Sequence, residues 1–195
     1  MSTQDRRQRE RRATEQEMLS AALRLLLLGG EQGLTMRRVA AETGFTVGNL
    51  YAYFRDKSAL LGALQQDGFK MLEEVLERPL QESDADQVLR DQVLAFARFL
   101  AAYPALYDLM LLSRTGHQGA LQAHITRIEQ RWEMGLERSS GRSPSDETNL
   151  APRASVFWRF LHGIAAFHLR RGQPAQLTEA FWLDMVSGWV RFNRP

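Results

Sequence analysis

The 195 residues contain no cysteine, which excludes disulfides, cysteine-ligated zinc and a thiol redox switch. Lysine is nearly absent too. Lys57 and Lys70 are the only two, so the basic charge is carried by arginine, as in proteins from GC-rich bacterial genomes. The formal net charge of +2 excludes a polycation coating acidic surfaces along its whole length. No apolar run is long enough for a membrane. Met18 to Leu28 follows a basic stretch, but Arg24 interrupts it and no small-residue cleavage site follows. It also falls well short of the ~20 apolar residues a span requires. The expectation is therefore a cytoplasmic chain with no membrane partner. The four histidines, His117, His124, His162 and His168, stand seven and six apart within their pairs. Neither spacing is the four-residue step of a helical zinc pair, and no phosphate-binding glycine loop appears. No enzyme activity, no metal and no cofactor are expected. Strand-type alternation is missing as well, which leaves an all-α fold.

What is present is 44% hydrophobic residues arranged at helical spacing, enough for a sizeable core. A first helix is expected over 13–28 and a long one from Asp56 that stops before Pro79. Others are expected from Asp86 to Ala102, from Pro104 to Ser113, from Ala120 to Arg138, from Arg153 to Arg171 and from Leu177 to Asn193. Gly116 and Gly119 mark a turn. Ser139 to Pro152 reads as the most loop-like stretch, and Gly172 and Pro174 separate the last two helices.

The densest signal lies between Thr35 and Lys57, TMRRVAAETGFTVGNLYAYFRDK. Thr35 suits the N-cap of a short helix whose Val39, Ala40 and Ala41 are expected to face inward, and Gly44 permits the positive φ of a sharp helix end. Thr46 suits the cap of a second short helix, in which Leu50 and Phe54 are four apart and pack on the first. This is a helix-turn-helix. Its outward residues have the chemistry of a DNA groove: Asn49 suits an adenine edge, Thr46 and Val47 suit base edges and thymine methyls, and Gly48 lets the backbone approach. Tyr51, Tyr53 and Lys57 suit phosphates, with Lys57 in the first turn behind an Asp56 cap, and Thr35 and Arg37 are further candidate DNA-binding residues. Spacing alone leaves open that the tyrosines are core residues and the motif a helical hairpin that binds protein.

Gly33-Leu34-Thr35, Val39-Ala40, Gly44-Phe45-Thr46, Gly48-Asn49-Leu50-Tyr51, Tyr53-Phe54, Lys57 and Leu60-Leu61 together resemble the N-terminal domain of the tetracycline-repressor (TetR) family, over residues 13 to 62. Tyr53 stands where that family often has histidine, and Asn49 where it often has threonine. The resemblance implies a three-helix head over 13–58 and a larger helical effector-binding and dimerisation domain over 59–195, about nine helices in all. Tyr103 to Met110, with Trp158, His162 and Gly163, resembles a ligand-domain subtype with a tryptophan, histidine and glycine signature (WHG). By resemblance, Phe96, Phe99, Tyr103, Tyr107, Met110, Trp132, Phe157 and His162 surround an effector cavity suited to an apolar or aromatic small molecule. Ordinary core packing uses the same residue types. Arg98 and Arg159 are candidate partners for an acidic effector.

From Val156 to Leu169 the helix is apolar nearly all round, and Trp182, Met185, Val186 and Trp189 form a stripe on the last helix. One helical layer cannot cover both faces, which predicts a homodimer through a four-helix bundle using Phe160, Ile164, Phe167, Trp182, Met185, Val186 and Trp189. Residues 1–12 carry five arginines against Asp5 and Glu10, a net of +3, and read as a disordered basic arm suited to phosphates or a minor groove. The expected function is a dimeric repressor on a palindromic double-stranded DNA operator, released by effector; the alternative is a helical protein-binding adaptor.

Overall fold

The computed structural model describes residues 3–85, 87–112, 118–140, 150–172 and 176–192. Among them are nine helices and no strand: α1 (Thr3–Gly33), α2 (Met36–Thr43), α3 (Val47–Tyr53), α4 (Lys57–Glu82), α5 (Val88–Ala102), α6 (Pro104–Leu112), α7 (Gln118–Ser140), α8 (Leu150–Arg170) and α9 (Glu179–Phe192). The chain divides into two compact units, residues 1–67 with 105–117, and residues 68–104 with 118–195.

The first unit is built on α1. Met18, Leu19, Ala22, Leu25 and Leu26 line its inner face and are buried, as expected of leucines that support a helix-turn-helix. Arg24 on α1 pairs with Glu42 on α2 at 3.3 Å. Val39 and Ala40 are buried, but Ala41 is exposed. Three consecutive residues sweep about 200° of a helix at 3.6 residues per turn, so one of them had to turn outward. Gln65 on α4 is buried and donates to the carbonyls of Leu109 and Met110, at 3.4 and 3.2 Å. These lie near the C-terminal end of α6, where helix carbonyls have no partner of their own.

Two expectations for helix limits fail. Residues 3–12 continue α1 as exposed helical turns instead of a disordered arm. Arginine, glutamine and glutamate are good helix formers, and a helix already nucleated on a buried face propagates cheaply. Near its other end α1 is interrupted at Gly30, whose φ of 61° only glycine adopts freely. The second failure is α4, which passes through Pro79 to Glu82. A proline removes one backbone hydrogen bond and bends the helix. Here Leu76, Pro79 and Leu80 are all buried, and the turn resumes with Ser83 N–H donating to the Pro79 carbonyl at 3.0 Å.

The second unit packs α5 against α7 and α9, and α7 against α8. Its core centres on Phe96, whose ring meets Trp132, Trp158 and Trp182 edge-on at 6.1, 5.9 and 5.5 Å. Such perpendicular contacts are favoured by the ring quadrupoles. α7 runs to Ser140 and α8 starts at Leu150, so the expected loop from Ser139 to Pro152 is shorter at both ends, and 141–149 lie outside the described residues. Gly119 lies in α7, while Gly116 and Pro174 are outside the described residues. Gly172, at φ 66°, lies just past the end of α8.

Candidate nucleic-acid interface and effector cleft

Each helix of the helix-turn-helix begins at a threonine cap. Thr35 Oγ1 accepts from Arg38 N–H at 3.2 Å and Thr46 Oγ1 from Asn49 N–H at 3.1 Å. Both hydroxyls keep a proton to donate to a phosphate. Gly44, at φ 72°, closes α2 in the left-handed region. Leu50 and Phe54 are buried, and that packing orients α3 so that Thr46, Gly48, Asn49 and Tyr51 are exposed, with Val47 and Tyr53 half-buried. A Cβ on Gly48 would meet only Thr46 Oγ1, at 3.8 Å. Nothing in the fold itself demands glycine there. Thr35 and Arg37 are exposed at the start of α2.

The Asp56 cap is in place: its Oδ1 accepts from Ala59 N–H at 2.8 Å. That bond, with Arg55 beside it, holds the carboxyl below the usual aspartate range. Lys57 has a second task that sequence did not reveal. Its Nζ donates to the Glu31 carbonyl at 2.7 Å, while Arg38 Nη1 donates to the Gly33 carbonyl at 2.6 Å. Two cations thus serve the C-terminal carbonyls of α1, where the helix dipole is negative. Lys57 retains two N–H groups for an anion. Sequence also missed Arg11, whose guanidinium lies over the Tyr53 ring at 5.4 Å.

The expected effector residues fall in both units. Tyr107 and Met110 are buried in the first unit. In the second, Phe96, Trp132 and Phe157 are fully buried in ring-on-ring contacts, including Trp132 to Phe157 at 5.2 Å and Phe157 to Trp189 at 4.7 Å. His162 is half-buried beside Trp158, ring centres 5.3 Å apart, and burial pushes its pKa below the ordinary histidine value. The structure offers a cleft, about 590 Å3, between α4 and α5 of the second unit. Met71, Val75, Pro79, Leu94, Ala95 and Phe99 line it with apolar surface, and Tyr103 borders it. Of the eight expected residues only Phe99 and Tyr103 take part. Its charged rim was not anticipated as a set. Glu74, Arg78, Glu82, Asp91 and Arg98 all contribute. Arg98 is clasped by Glu179 at 2.7 Å and Asp91 accepts from Ser83 Oγ at 2.7 Å. Arg159 does not line the cleft.

The expected dimer residues divide. Trp182 is fully buried and Val186 nearly so, inside the chain's own core, where they have no surface to offer a partner. Phe160, Ile164, Met185 and Trp189 are half-buried and Phe167 is 56% exposed. On α8 an outer line runs through Val156, Phe160, Gly163 and Phe167, with open space above Gly163.

Among the described residues no group of three or more His, Asp or Glu side chains is placed to hold a metal ion, and no single helix is long and apolar enough to cross a membrane. Residues 18–64 match the family described as bacterial regulatory proteins, tetR family. The fold is similar to that of the TetR family transcriptional regulator PfmR from Thermus thermophilus, with 22% identity over 80% of this chain and 86% of that one, TM-score 0.59. It is also similar to FadR from Bacillus subtilis, solved with stearoyl-CoA, at 16% identity, 87% and 96% coverage and TM-score 0.67. SmeT, the repressor of the Stenotrophomonas maltophilia multidrug efflux pump SmeDEF, matches at 20% identity, 88% and 87% coverage and TM-score 0.63. Residues 18–64 of this chain thus match the tetR-family model, and the all-α fold is similar to that of the regulators PfmR and SmeT.

Proposed function

We propose that the chain is a DNA-binding transcriptional regulator of the TetR type that reads a palindromic operator as a dimer and is released from it by a small molecule. The carrying observation is the exposed face of α3: Thr46, Gly48, Asn49 and Tyr51 stand outward while Leu50 and Phe54 anchor the helix from behind. A duplex with two half-sites one helical turn apart, about 34–36 Å, is the matching target. Asn49 reads base edges; Thr35, Arg37, Tyr51 and Lys57 position the head on phosphates, with Tyr53 beside them.

For the effector, the cleft between α4 and α5 supports a molecule with an apolar body and a polar or charged end. Its floor is aliphatic with Phe99, and its rim is charged. Stearoyl-CoA, held by a protein of similar fold, has that division. Release requires only that effector bind the DNA-incompetent state better, and a hundredfold preference corresponds to about 2.7 kcal/mol.

The test is fluorescence anisotropy of the full chain on duplex from upstream of its own gene, over a salt series and against a scrambled duplex. Preference for the upstream duplex that persists at high salt is the expected result. Replacing Asn49 with alanine then costs about 1–3 kcal/mol at particular base pairs only. Equal binding to both duplexes at every salt concentration, unaltered by Asn49→Ala, refutes sequence reading by this face.

A further inference from the structure

Residues 3–12 have the sequence TQDRRQRERR, helical, exposed at every position and without one apolar residue. A helix polar all round gains nothing from packing. Its charge pulls both ways: Asp5 in the first turn suits the helix dipole, whereas the arginines near the N-terminus oppose it and Arg7 with Arg11 is a like-charge pair four apart. Arg6 is paired with Glu10 at 3.6 Å across exposed surface. Five arginines against two acids still leave +3 on these turns. They are held in place from further along. Gln16 on α1 donates to Asp67 on α4 at 3.0 Å, and Arg11 lies over Tyr53, the last residue of α3.

We propose that the first three turns of α1 are a second DNA-contacting surface, continuous with α3, in which Tyr53 is a platform that orients Arg11 toward the phosphate backbone. This rests on the DNA-binding reading and revises the part assigned to Tyr53. A guanidinium held over a ring face, here 5.4 Å from its centre, is oriented without spending an N–H on the ring's hydroxyl, so its N–H groups remain available to phosphate oxygens. Tyr53 then acts through its ring, as a positioning residue, and Arg11 makes the contact. The partner fits by charge: arginines spaced along exposed helical turns face a polymer with one negative charge per about 1.7 Å of its axis. The surface carries no base-reading pattern. It adds affinity and salt dependence, not sequence choice.

The experiment uses the full-length chain on a duplex recovered by it from a random-sequence library. The triple variant R6Q/R7Q/R9Q is expected to retain the order of preference among recovered duplexes and to show a shallower salt slope. If each arginine meets one phosphate, wild type loses about 40-fold more affinity per protomer than the variant between 50 and 200 mM salt. Arg11→Gln and Tyr53→Ala are expected to weaken binding equally, with no further loss when combined, while Tyr53→Phe retains wild-type affinity. A wild-type slope in the triple variant overturns the proposal. So does a Tyr53→Phe loss equal to that of Tyr53→Ala, which makes the hydroxyl the contact. If the variant keeps the wild-type DNA slope but loses binding to phosphatidylserine vesicles, the surface belongs to lipid and the proposal falls. Recovery of no duplex by the wild-type chain sinks the DNA-binding reading itself, a separate failure.

Discussion

Gly135 shows how one side chain decides another's identity. Gln92 is fully buried on α5, and its Nε2 donates to the Leu76 carbonyl at 3.1 Å and the Arg131 carbonyl at 2.9 Å, joining α4, α5 and α7. A Cβ on Gly135 would stand 1.8 Å from Gln92 Oε1, so any larger residue displaces the amide. In an open helix, glycine to alanine stabilises by about 1 kcal/mol. Here the sign reverses. Gly135→Ala is expected to lower stability by about 2 kcal/mol, because the amide's buried hydrogen bonds are lost or bent. Urea denaturation checks this, and Gln92→Ala in the same chain should recover part of the loss. A stabilised Gly135→Ala protein would mean that Gln92 moves aside without cost.

At the scale of elements, the face of α7 toward α4 is polar where a buried helix pair is usually greasy. His124, Arg127, Arg131, Gly135 and Arg138 recur at three- and four-residue steps. Glu73 answers them on α4, with Oε1 2.5 Å from His124 Nδ1 and Oε2 2.9 Å from Arg127 Nε. Arg131 pairs with Glu77 at 3.0 Å, and Arg138 Nη1 donates to the Leu80 carbonyl. Burial raises the pKa of Glu73, but bonds from Arg127 and His124 outweigh it and hold the carboxyl below its ordinary value of 4.5. A depressed carboxyl pKa stabilises the fold above the unfolded value and loses that contribution as pH falls through the folded one. Acid unfolding is therefore expected to steepen below about pH 4.5 in wild type and to flatten in Glu73→Gln. At neutral pH Glu73→Ala should cost about 3 kcal/mol, since it leaves Arg127 and His124 near each other without the anion. A denaturation midpoint unchanged from pH 7 to 4 in Glu73→Ala relative to wild type would show the seam to be solvated. This seam was not legible beforehand, for charges at helical spacing look the same on a solvated face and on a buried one. Capping was legible: Thr35, Thr46, Asp56 and Gly44 act through neighbours a few residues away, so their geometry is local. Pro79 misled because the cost of a proline in a helix is finite and buried neighbours on both sides outweighed it. For the expected effector residues composition alone does not decide between lining and core. Phe96, Trp132 and Phe157 have the composition of a pocket lining, and packed rings have that composition too.

One chain leaves apolar side chains uncovered on α8. Val156 is 53% exposed and Phe167 56%, on the same line of α8 as Phe160 and Gly163. The spacing of four, three and four residues keeps them on one side, and a glycine with open space above it lets another helix approach closely. On α9, Gly188 also faces open space beside half-buried Met185 and Trp189. An isologous contact would place this line against its own copy, so each phenylalanine counts twice. In such a dimer Trp182 and Val186, buried in the chain's own core, would support the interface from within the chain. Phe167→Glu would introduce a pair of charges related by the two-fold axis, at a ring that is more than half exposed and touches His168 and Arg171 rather than Phe96. Light scattering is expected to give twice the 22.3 kDa chain mass for wild type and the single mass for Phe167→Glu, with near-ultraviolet circular dichroism of the tryptophans retained. The variant should also lose more than about a hundredfold in operator affinity, because the second half-site is no longer bound at the effective concentration that dimerisation provides. A variant that stays at twice the mass would move the interface elsewhere, and a wild-type chain at 22.3 kDa would leave the exposed line for some other partner.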